Sequence, residues 1–198
     1  MSFTCKYGVP FLPPNKSEEF LLPFKSYEEF IAFLTDELVK DGYSMQGGTS
    51  FEPPARICFF TKRSWPSMFV ERIDSFLILK VREIPAEMQS VLEELLYSYI
   101  KTHYNKSVIG SEELYSILIC WTGHADDGLR ELVDNNVFQW KGRGQLPIAV
   151  ASQEKKIYLA KQKGLTYISY YKRLRKKWLQ LMKKAYEERG IEMNQKKL

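Results

Sequence analysis

Apolar residues recur along the chain with two different periods. Stretches in which they return every three or four positions predict helices, whereas short apolar runs bounded by Gly or Pro predict strands. The first helix has a clear start, because Ser26-Tyr27-Glu28-Glu29 is a capping box, and Asp41-Gly42 ends it. The predicted helices cover about 26–41, 85–104, 126–133 and 166–189, and the predicted strands about 56–61, 76–82, 114–121, 138–141, 145–151 and 156–160.

The order of these elements, α-β-β-α-β-α-β-β-β-α, favours a single α/β (or α+β) domain. We expect a mixed β-sheet of about five to six strands flanked by helices. The run from Leu114 to Trp121 is apolar enough to be a central strand. The expected organisation is an extended N-terminal arm over 1–25, the mixed domain over 26–165, and a long basic amphipathic C-terminal helix with its tail over 166–198.

The composition is that of a globular chain. Of the 198 residues, 44% are hydrophobic and 14% aromatic, which is typical of proteins with a packed core. The N terminus lacks a signal-peptide pattern, and no apolar run approaches the roughly 20 residues that span a bilayer. Cys5, Cys58 and Cys120 lie far apart, and His103 and His124 show no metal-ligand spacing. We therefore expect a cytoplasmic protein with free thiols, no bound metal and no cofactor.

Positive charge is concentrated at the C-terminal end of the chain. Residues 155–198 hold 14 Lys and Arg against 3 acids, a net charge of +11, whereas residues 1–154 hold 15 against 21, a net charge of −6. The average of +5 over the whole chain hides this division. Such asymmetry is typical of a protein that contacts an anionic partner at one end.

The last predicted helix carries an apolar seam together with most of this positive charge. The seam has a period near 3.5 residues, the spacing of coiled-coil a and d positions. Its members are Tyr167, Tyr171, Leu174, Trp178, Leu181 and Ala185. The basic residues that occupy most of the remaining surface are Lys172, Arg173, Arg175, Lys176, Lys177, Lys183 and Lys184.

Several interpretations of this helix are open. The seam packs on the sheet and the basic residues form its solvated face, or the basic residues neutralise the phosphates of a nucleic acid. A basic helix with Trp and Tyr also suits an anionic membrane surface. Finally, a protein partner, or a second copy of the chain in a homodimer, would contact the seam through Tyr171, Leu174, Trp178 and Leu181.

The segment Gly123-His124-Ala125-Asp126-Asp127-Gly128 lies between an apolar strand and a helix. Ligands of open α/β sheets bind beyond the carboxyl ends of parallel strands. His124 is therefore a candidate acid or base, oriented by Asp126 or Asp127. The simpler interpretation is that an Asp caps the helix and His124 lies in a solvated loop.

Another candidate is Gln139-Trp140-Lys141. Gln-x-Lys on a strand resembles the second half of the PD-(D/E)xK nuclease motif, in which an acid on one strand, an acid or Gln on the next and a following Lys organise a divalent metal and a water. The resemblance implies catalytic roles for Gln139 and Lys141, with Asp134 or Asp74 as the upstream acid. The alternative is an ordinary exposed strand that ends in a glycine turn.

Two further segments combine basic residues with turn or aromatic residues. Arg143 stands between two glycines, which suits either an anion-binding nest or a hairpin turn. Lys62-Arg63-Ser64-Trp65-Pro66 places two cations beside a Trp, which suits stacking on a nucleotide. We favour a structural loop here, because Trp-Pro packs well at a strand end.

The sequence contains no Walker-type loop, no Gly-x-Gly-x-x-Gly, no Gly-x-Ser-x-Gly and no Cys-His nucleophile pair. The charge division therefore favours a non-enzymatic α/β regulatory or adaptor domain that binds an anionic partner, nucleic acid first, through the last helix. The competing hypotheses are a metal-dependent or degenerate nuclease and a module for peripheral membrane or protein association.

Overall fold

The structure, a computed structural model, describes residues 18–46, 56–67, 70–80, 111–135, 138–140, 143–160 and 168–191. The predicted helix over 85–104 lies outside these ranges, as do Lys141 and Tyr167. The described helices are α1 (Tyr27–Lys40), α2 (Asp127–Asn135) and α3 (Ile168–Glu188). The described strands are β1 (Glu18–Leu21), β2 (Ser44–Gln46), β3 (Arg56–Ser67), β4 (Val70–Lys80), β5 (Ser111–Thr122), β6 (Phe138–Trp140), β7 (Arg143–Ala151) and β8 (Lys156–Leu159).

The described strands form one mixed sheet. Seven of them follow the order β1-β8-β7-β5-β4-β3-β2, and β6 pairs with the first residues of β7. β4, β5 and β7 run parallel to one another, while the other pairings are antiparallel. The predicted mixed sheet with flanking helices is confirmed, and β5 is central as its apolar sequence indicates.

The sheet has eight strands in the described part of the chain, more than the five to six expected. The additional strands are β1, which uses residues 18–21 of the predicted arm, and β2, which is three residues long. Both stand at the ends of the strand order. Such short edge strands are held by backbone hydrogen bonds to one neighbouring strand. Because this pairing does not require an apolar pattern, the sequence carries little sign of them.

β3 and β4 extend into polar sequence beyond their predicted ends. The structure continues β3 to Ser67, through the segment that the sequence suggests is a loop, and starts β4 at Val70. The two strands pair continuously to Ser64, with a shift of register before Ser67. Lys62 lies directly opposite Asp74 in this ladder, and opposite charges across an antiparallel pair stabilise it.

The ends of α1 follow directly from its sequence. The Ser26 hydroxyl accepts a hydrogen bond from the Glu29 amide at 3.1 Å, which confirms the predicted cap. At the other end, Gly42 has φ +81°, and the Tyr43 amide donates to the Leu38 carbonyl at 2.9 Å. This Schellman turn needs a residue with positive φ, and it fixes where the chain leaves the helix.

Helices cover both faces of the sheet. Residues of β5 alternate, so that Ile117 and Ile119 belong to the core under α1 and α3, whereas Leu118 and Cys120 belong to the core under α2. The first of these two cores is the larger. Because β4 alternates in the same way, Phe76 and Ile78 face α1 and α3.

The seam of α3 is the centre of the larger core. The four seam residues whose side chains are described are buried, and the Trp178 side chain is 0% exposed. Its ring lies 6.5 Å from that of Phe30 on α1, and Phe30 in turn lies 5.0 Å from Trp121 on β5. The buried seam residues are Leu174, Trp178, Leu181 and Ala185.

We expect Trp178→Ala to lower the free energy of unfolding by about 3–5 kcal/mol, because it opens a cavity where α1, α3 and the sheet meet. Trp65→Ala is the matched control, since the Trp65 side chain is 60% exposed, and we expect it to change stability by less than about 0.5 kcal/mol. Urea unfolding of both variants measures the difference. Equal losses would show that α3 is not part of the cooperative core.

Candidate functional site

An open cleft of about 600 Å³ lies between the first half of α3, the strands β3, β4 and β5, and the turn after α1. This volume is within the range of ligand sites in proteins. Five cationic side chains and two carboxylates line it. The cations are Lys62, Lys172, Arg173, Lys176 and Lys177, and the acids are Asp41 and Asp74. We call this site the basic cleft.

Asp74 forms part of the floor of the basic cleft. It stands on the face of β4 that carries Phe76, and its Oδ2 accepts a hydrogen bond from the Arg173 guanidinium at 2.6 Å. Its other carboxylate oxygen, Oδ1, is buried and has no hydrogen-bond partner among the described residues. Burial raises the pKa of the Asp74 carboxyl, although Arg173, Arg72 and Lys62 act in the opposite direction.

Asp41 borders the basic cleft from the turn after α1. Its carboxylate contacts the Lys177 ammonium, and its backbone carbonyl accepts a hydrogen bond from Lys62. Burial, with Lys184 nearby, lowers the pKa of Lys177 despite this contact. The Schellman turn at Gly42 therefore places a carboxylate between two of the cleft lysines.

Two tyrosine rings support the cations from below. The Lys62 and Lys177 ammonium groups lie 5.7 and 5.2 Å from the centre of the Tyr43 ring, within the reach of a cation–π contact. The guanidinium of Arg173 lies 5.6 Å from the centre of the Tyr115 ring. Both rings are buried, so they hold the cations in place and do not offer a face to a ligand.

Lys172 and Lys176 differ from the other cleft cations. Both are exposed, and neither forms an ion pair or a side-chain hydrogen bond with any residue in the described ranges. They are four residues apart on α3 and both line the basic cleft. Two lysines so placed stand on one side of the helix, where they can act together on an anion.

The other predicted basic residues of α3 have partners within the chain. Arg175 pairs with Glu18 of β1 at 2.7 Å, and Lys184 contacts the buried Glu37 of α1. Lys183 lies 3.8 Å from Glu187 one turn later. The basic face of α3 is therefore mostly neutralised by acids of the same chain, which the sequence pattern does not reveal.

Three of the seam residues named as a partner surface, Leu174, Trp178 and Leu181, are buried in the core of their own chain. The side chain of Tyr171 lies outside the described residues. The seam thus belongs to the fold, and we do not propose it as a surface for a second chain.

A second cluster lies at the carboxyl ends of the parallel strands β5 and β7. Asp126 caps α2, because its Oδ1 accepts a hydrogen bond from the Leu129 amide at 2.7 Å. The carboxylate near His124 is instead that of Glu154, whose Oε1 lies 3.8 Å from His124 Nδ1. Asp126 therefore performs the simpler of its two predicted roles.

Glu154 joins three parts of this cluster. Its carboxylate accepts hydrogen bonds from the Tyr158 hydroxyl at 2.6 Å and from the Ala125 amide at 2.9 Å, and it lies 3.5 Å from Arg130. These bonds, led by that from Tyr158, lower the pKa of Glu154. The same environment, burial first, raises the pKa of Tyr158 to about 12. Through these contacts, the Glu154 carboxylate links the loop after β5 to the turn after β7.

The residues of the nuclease-like pattern are spread along one row of the sheet. Asp74 pairs with Tyr115, Tyr115 with Gly144, and Gly144 with Gln139. Asp74 and Gln139 are thus three strands apart, or roughly 14 Å at the usual strand spacing. One metal ion cannot bind both side chains, because the atoms that ligate a metal ion lie within about 2.6 Å of it. Asp134 belongs to α2, and its side chain, like that of Gln139, is outside the described set.

Arg143 begins β7 and pairs with Trp140 across the β6–β7 hairpin. A hairpin is one of the two structures that its flanking glycines suggest. The side chain of Arg143 is not among those described, so its role in anion binding stays a prediction.

Sequence reasoning missed the partners of the basic residues. Asp41, Asp74 and Glu154 carry no motif, and each meets its partner only in the folded chain. A usable signal was present at Asp74, an acid that lies two residues before the apolar run Phe76–Leu79 of the same strand and therefore needs a cation nearby.

Neither a metal-binding cluster nor a membrane-spanning helix is present among the described residues. No group of three or more His, Cys, Asp or Glu is placed there to hold a metal ion. None of the helices in the same ranges is both long and apolar enough to cross a membrane.

Comparisons with protein-family models, with curated proteins and with solved structures find no match to this chain. Its function must therefore be inferred from the geometry and charge of its own residues.

We expect Glu154→Gln to lower the free energy of unfolding at pH 7 by about 1 kcal/mol, because the hydrogen bonds lose their charge assistance. The folded-state pKa of Glu154 is depressed. Its stabilisation is therefore present above the unfolded-state pKa and is lost as the pH falls through the folded-state pKa. The difference in the free energy of unfolding between the variant and the unaltered chain should therefore become smaller as the pH is lowered. Urea unfolding over a pH series measures this difference.

The control for this series is Glu187→Gln, which removes the same charge from a side chain that is 64% exposed. We expect little change in stability at any pH. A Glu154→Gln gap that stays constant down to acid pH would contradict a charge-dependent role.

Proposed function

We propose that this chain is a non-enzymatic α/β regulatory or adaptor domain that binds nucleic acid through the basic cleft. The observation that carries the proposal is the meeting of five cations and two carboxylates around one open cleft, with Lys172 and Lys176 unpaired within the described residues. A concave surface with an excess of one charge focuses its field and attracts a polyanion.

Nucleic acid suits this arrangement better than a small inorganic anion. The unpaired Lys172 and Lys176 offer more than one phosphate contact, and each contact releases counterions from the nucleic acid. Trp65 is exposed but is not among the residues that line the cleft, so the preference for nucleic acid rests on phosphate contacts and not on base stacking. Because the cleft is concave, we expect a flexible single strand to bind more tightly than a duplex.

The competing functions have less support. Membrane association through a basic amphipathic helix needs an exposed apolar face, whereas Leu174, Trp178 and Leu181 are buried. A metal-dependent nuclease with Asp74 as its acid would need Asp74 and Gln139 at one metal ion, and these residues stand three strands apart. The version with Asp134 stays a prediction, because the Asp134 and Gln139 side chains lie outside the described set. The basic cleft depends on neither requirement.

The proposal predicts that Lys172→Gln/Lys176→Gln weakens binding of the full chain to a fluorescent single-stranded oligonucleotide. The slope of log affinity against log salt should fall by about one for each lysine that contacts a phosphate. Fluorescence anisotropy over a salt series, with single-stranded and duplex DNA, measures both quantities.

Lys40→Gln/Lys183→Gln is the matched control, because it removes two exposed lysines that lie outside the basic cleft. It lowers the net charge by the same amount, and we expect it to change affinity and salt slope much less. Equal effects of the two double variants would show that net charge, not the cleft, governs binding. Absence of binding at low salt would refute the proposed function.

A further inference from the structure

We propose that Arg173 is the principal anion-binding group of the basic cleft and that Asp74 occupies it as an internal competitor when no ligand is bound. The inference rests on the proposed function. It adds a specific residue pair to the site and a reason why the cleft contains a carboxylate.

The position of Arg173 suits the binding of an anion. Its side chain lines the basic cleft and is 40% exposed, and its guanidinium lies 5.6 Å from the centre of the Tyr115 ring, within the reach of a cation–π contact. The unpaired Lys172 is adjacent in sequence, and Lys176 follows on the same helix. A guanidinium between two such lysines is matched in shape and charge to the oxygens of a phosphate group.

The bond that Arg173 makes with Asp74 is incomplete. A guanidinium and a carboxylate form their strongest pair with two parallel hydrogen bonds. Here one nitrogen of Arg173 donates to Oδ2 of Asp74, while Oδ1 is buried and receives no donor from the described residues. The Asp74 side chain is only 15% exposed, so its carboxylate is largely buried but only partly hydrogen-bonded.

A phosphate of the ligand can therefore replace Asp74 at a moderate cost. Leaving Arg173 does not strand the Asp74 carboxylate, because Lys62 stands directly opposite it on β3 and Arg72 lies close by. A phosphodiester brings the same single negative charge to Arg173 as the carboxylate does, and the ligand adds contacts to Lys172 and Lys176 that Asp74 does not make. Because a ligand has to displace Asp74 from Arg173, the cleft binds phosphate-rich ligands in preference to weakly charged ones.

A double-mutant cycle on the full chain tests this inference, with a short fluorescent oligothymidylate as the probe. Asp74→Asn keeps the shape of the side chain and frees Arg173, so we expect it to tighten binding on the order of tenfold, the effect of one gained charge-assisted hydrogen bond. In the Arg173→Gln background the same Asp74→Asn change should have little effect.

The cycle remains decisive if Arg173→Gln alone destabilises the fold. Asp74→Asn/Arg173→Gln leaves neither group charged, and comparing it with Asp74→Asn measures the contact of Arg173 with the probe directly. We expect this second change to abolish the gained affinity.

Asp41→Asn is the matched control, because it also removes one carboxylate from the basic cleft but not from Arg173. It should tighten binding less than Asp74→Asn does. Equal tightening by the two variants, equal tightening in both Arg173 backgrounds, or weaker binding of Asp74→Asn would each overturn the inference.

These outcomes separate the inference from the proposed function. If the chain binds the probe through Lys172 and Lys176 but Asp74→Asn is no tighter, only the inference fails. If no variant binds at low salt, the proposed function fails and the inference with it.

Discussion

Burial of the α3 seam is the interaction on which the rest of the structure depends. Trp178 and its neighbours on the seam close the larger core together with the buried face of α1. Once the seam is buried, the direction of every other side chain on α3 is fixed by helical geometry. The basic residues are then held beside the sheet and α1 and cannot form a separate basic arm.

The charge division of the chain follows from this packing. Acids on β1, α1 and β4 meet the bases of α3, as in the pairs Glu18–Arg175, Glu37–Lys184 and Asp74–Arg173. Exposed or half-exposed pairs of this kind contribute about 1 kcal/mol or less each, so they add little to the burial of the seam. Their greater effect is on specificity, because a helix placed one turn away would leave the buried Glu37 with only Lys40 of its own helix as a cationic partner.

How far the sequence predicts this protein depends on the range of each interaction. The Ser26 cap, the glycine ends of α1 and α3 and the apolar strand β5 are local patterns, and the structure confirms them. The short strands β1 and β2 depend on pairing with distant strands, and their sequences carry no comparable signal. The ion pairs are still harder to predict from the sequence, since 99 residues separate Arg173 from Asp74. The seam could therefore be read from its spacing, but the basic cleft could not.

The residual charges of the basic cleft are better explained by binding than by stability. A site selected for stability alone would give Asp74 a second donor or replace it with an apolar residue, because a half-satisfied buried carboxylate is costly. It would also not need both Lys172 and Lys176 to face this cleft without an acidic partner among the described residues. Features that break the local rules of a stable fold concentrate where a protein meets its ligand. In this chain the half-satisfied Asp74 and the unpaired Lys172 and Lys176 lie within one cleft of the described structure, and this coincidence is the basis for proposing a phosphate-bearing ligand there.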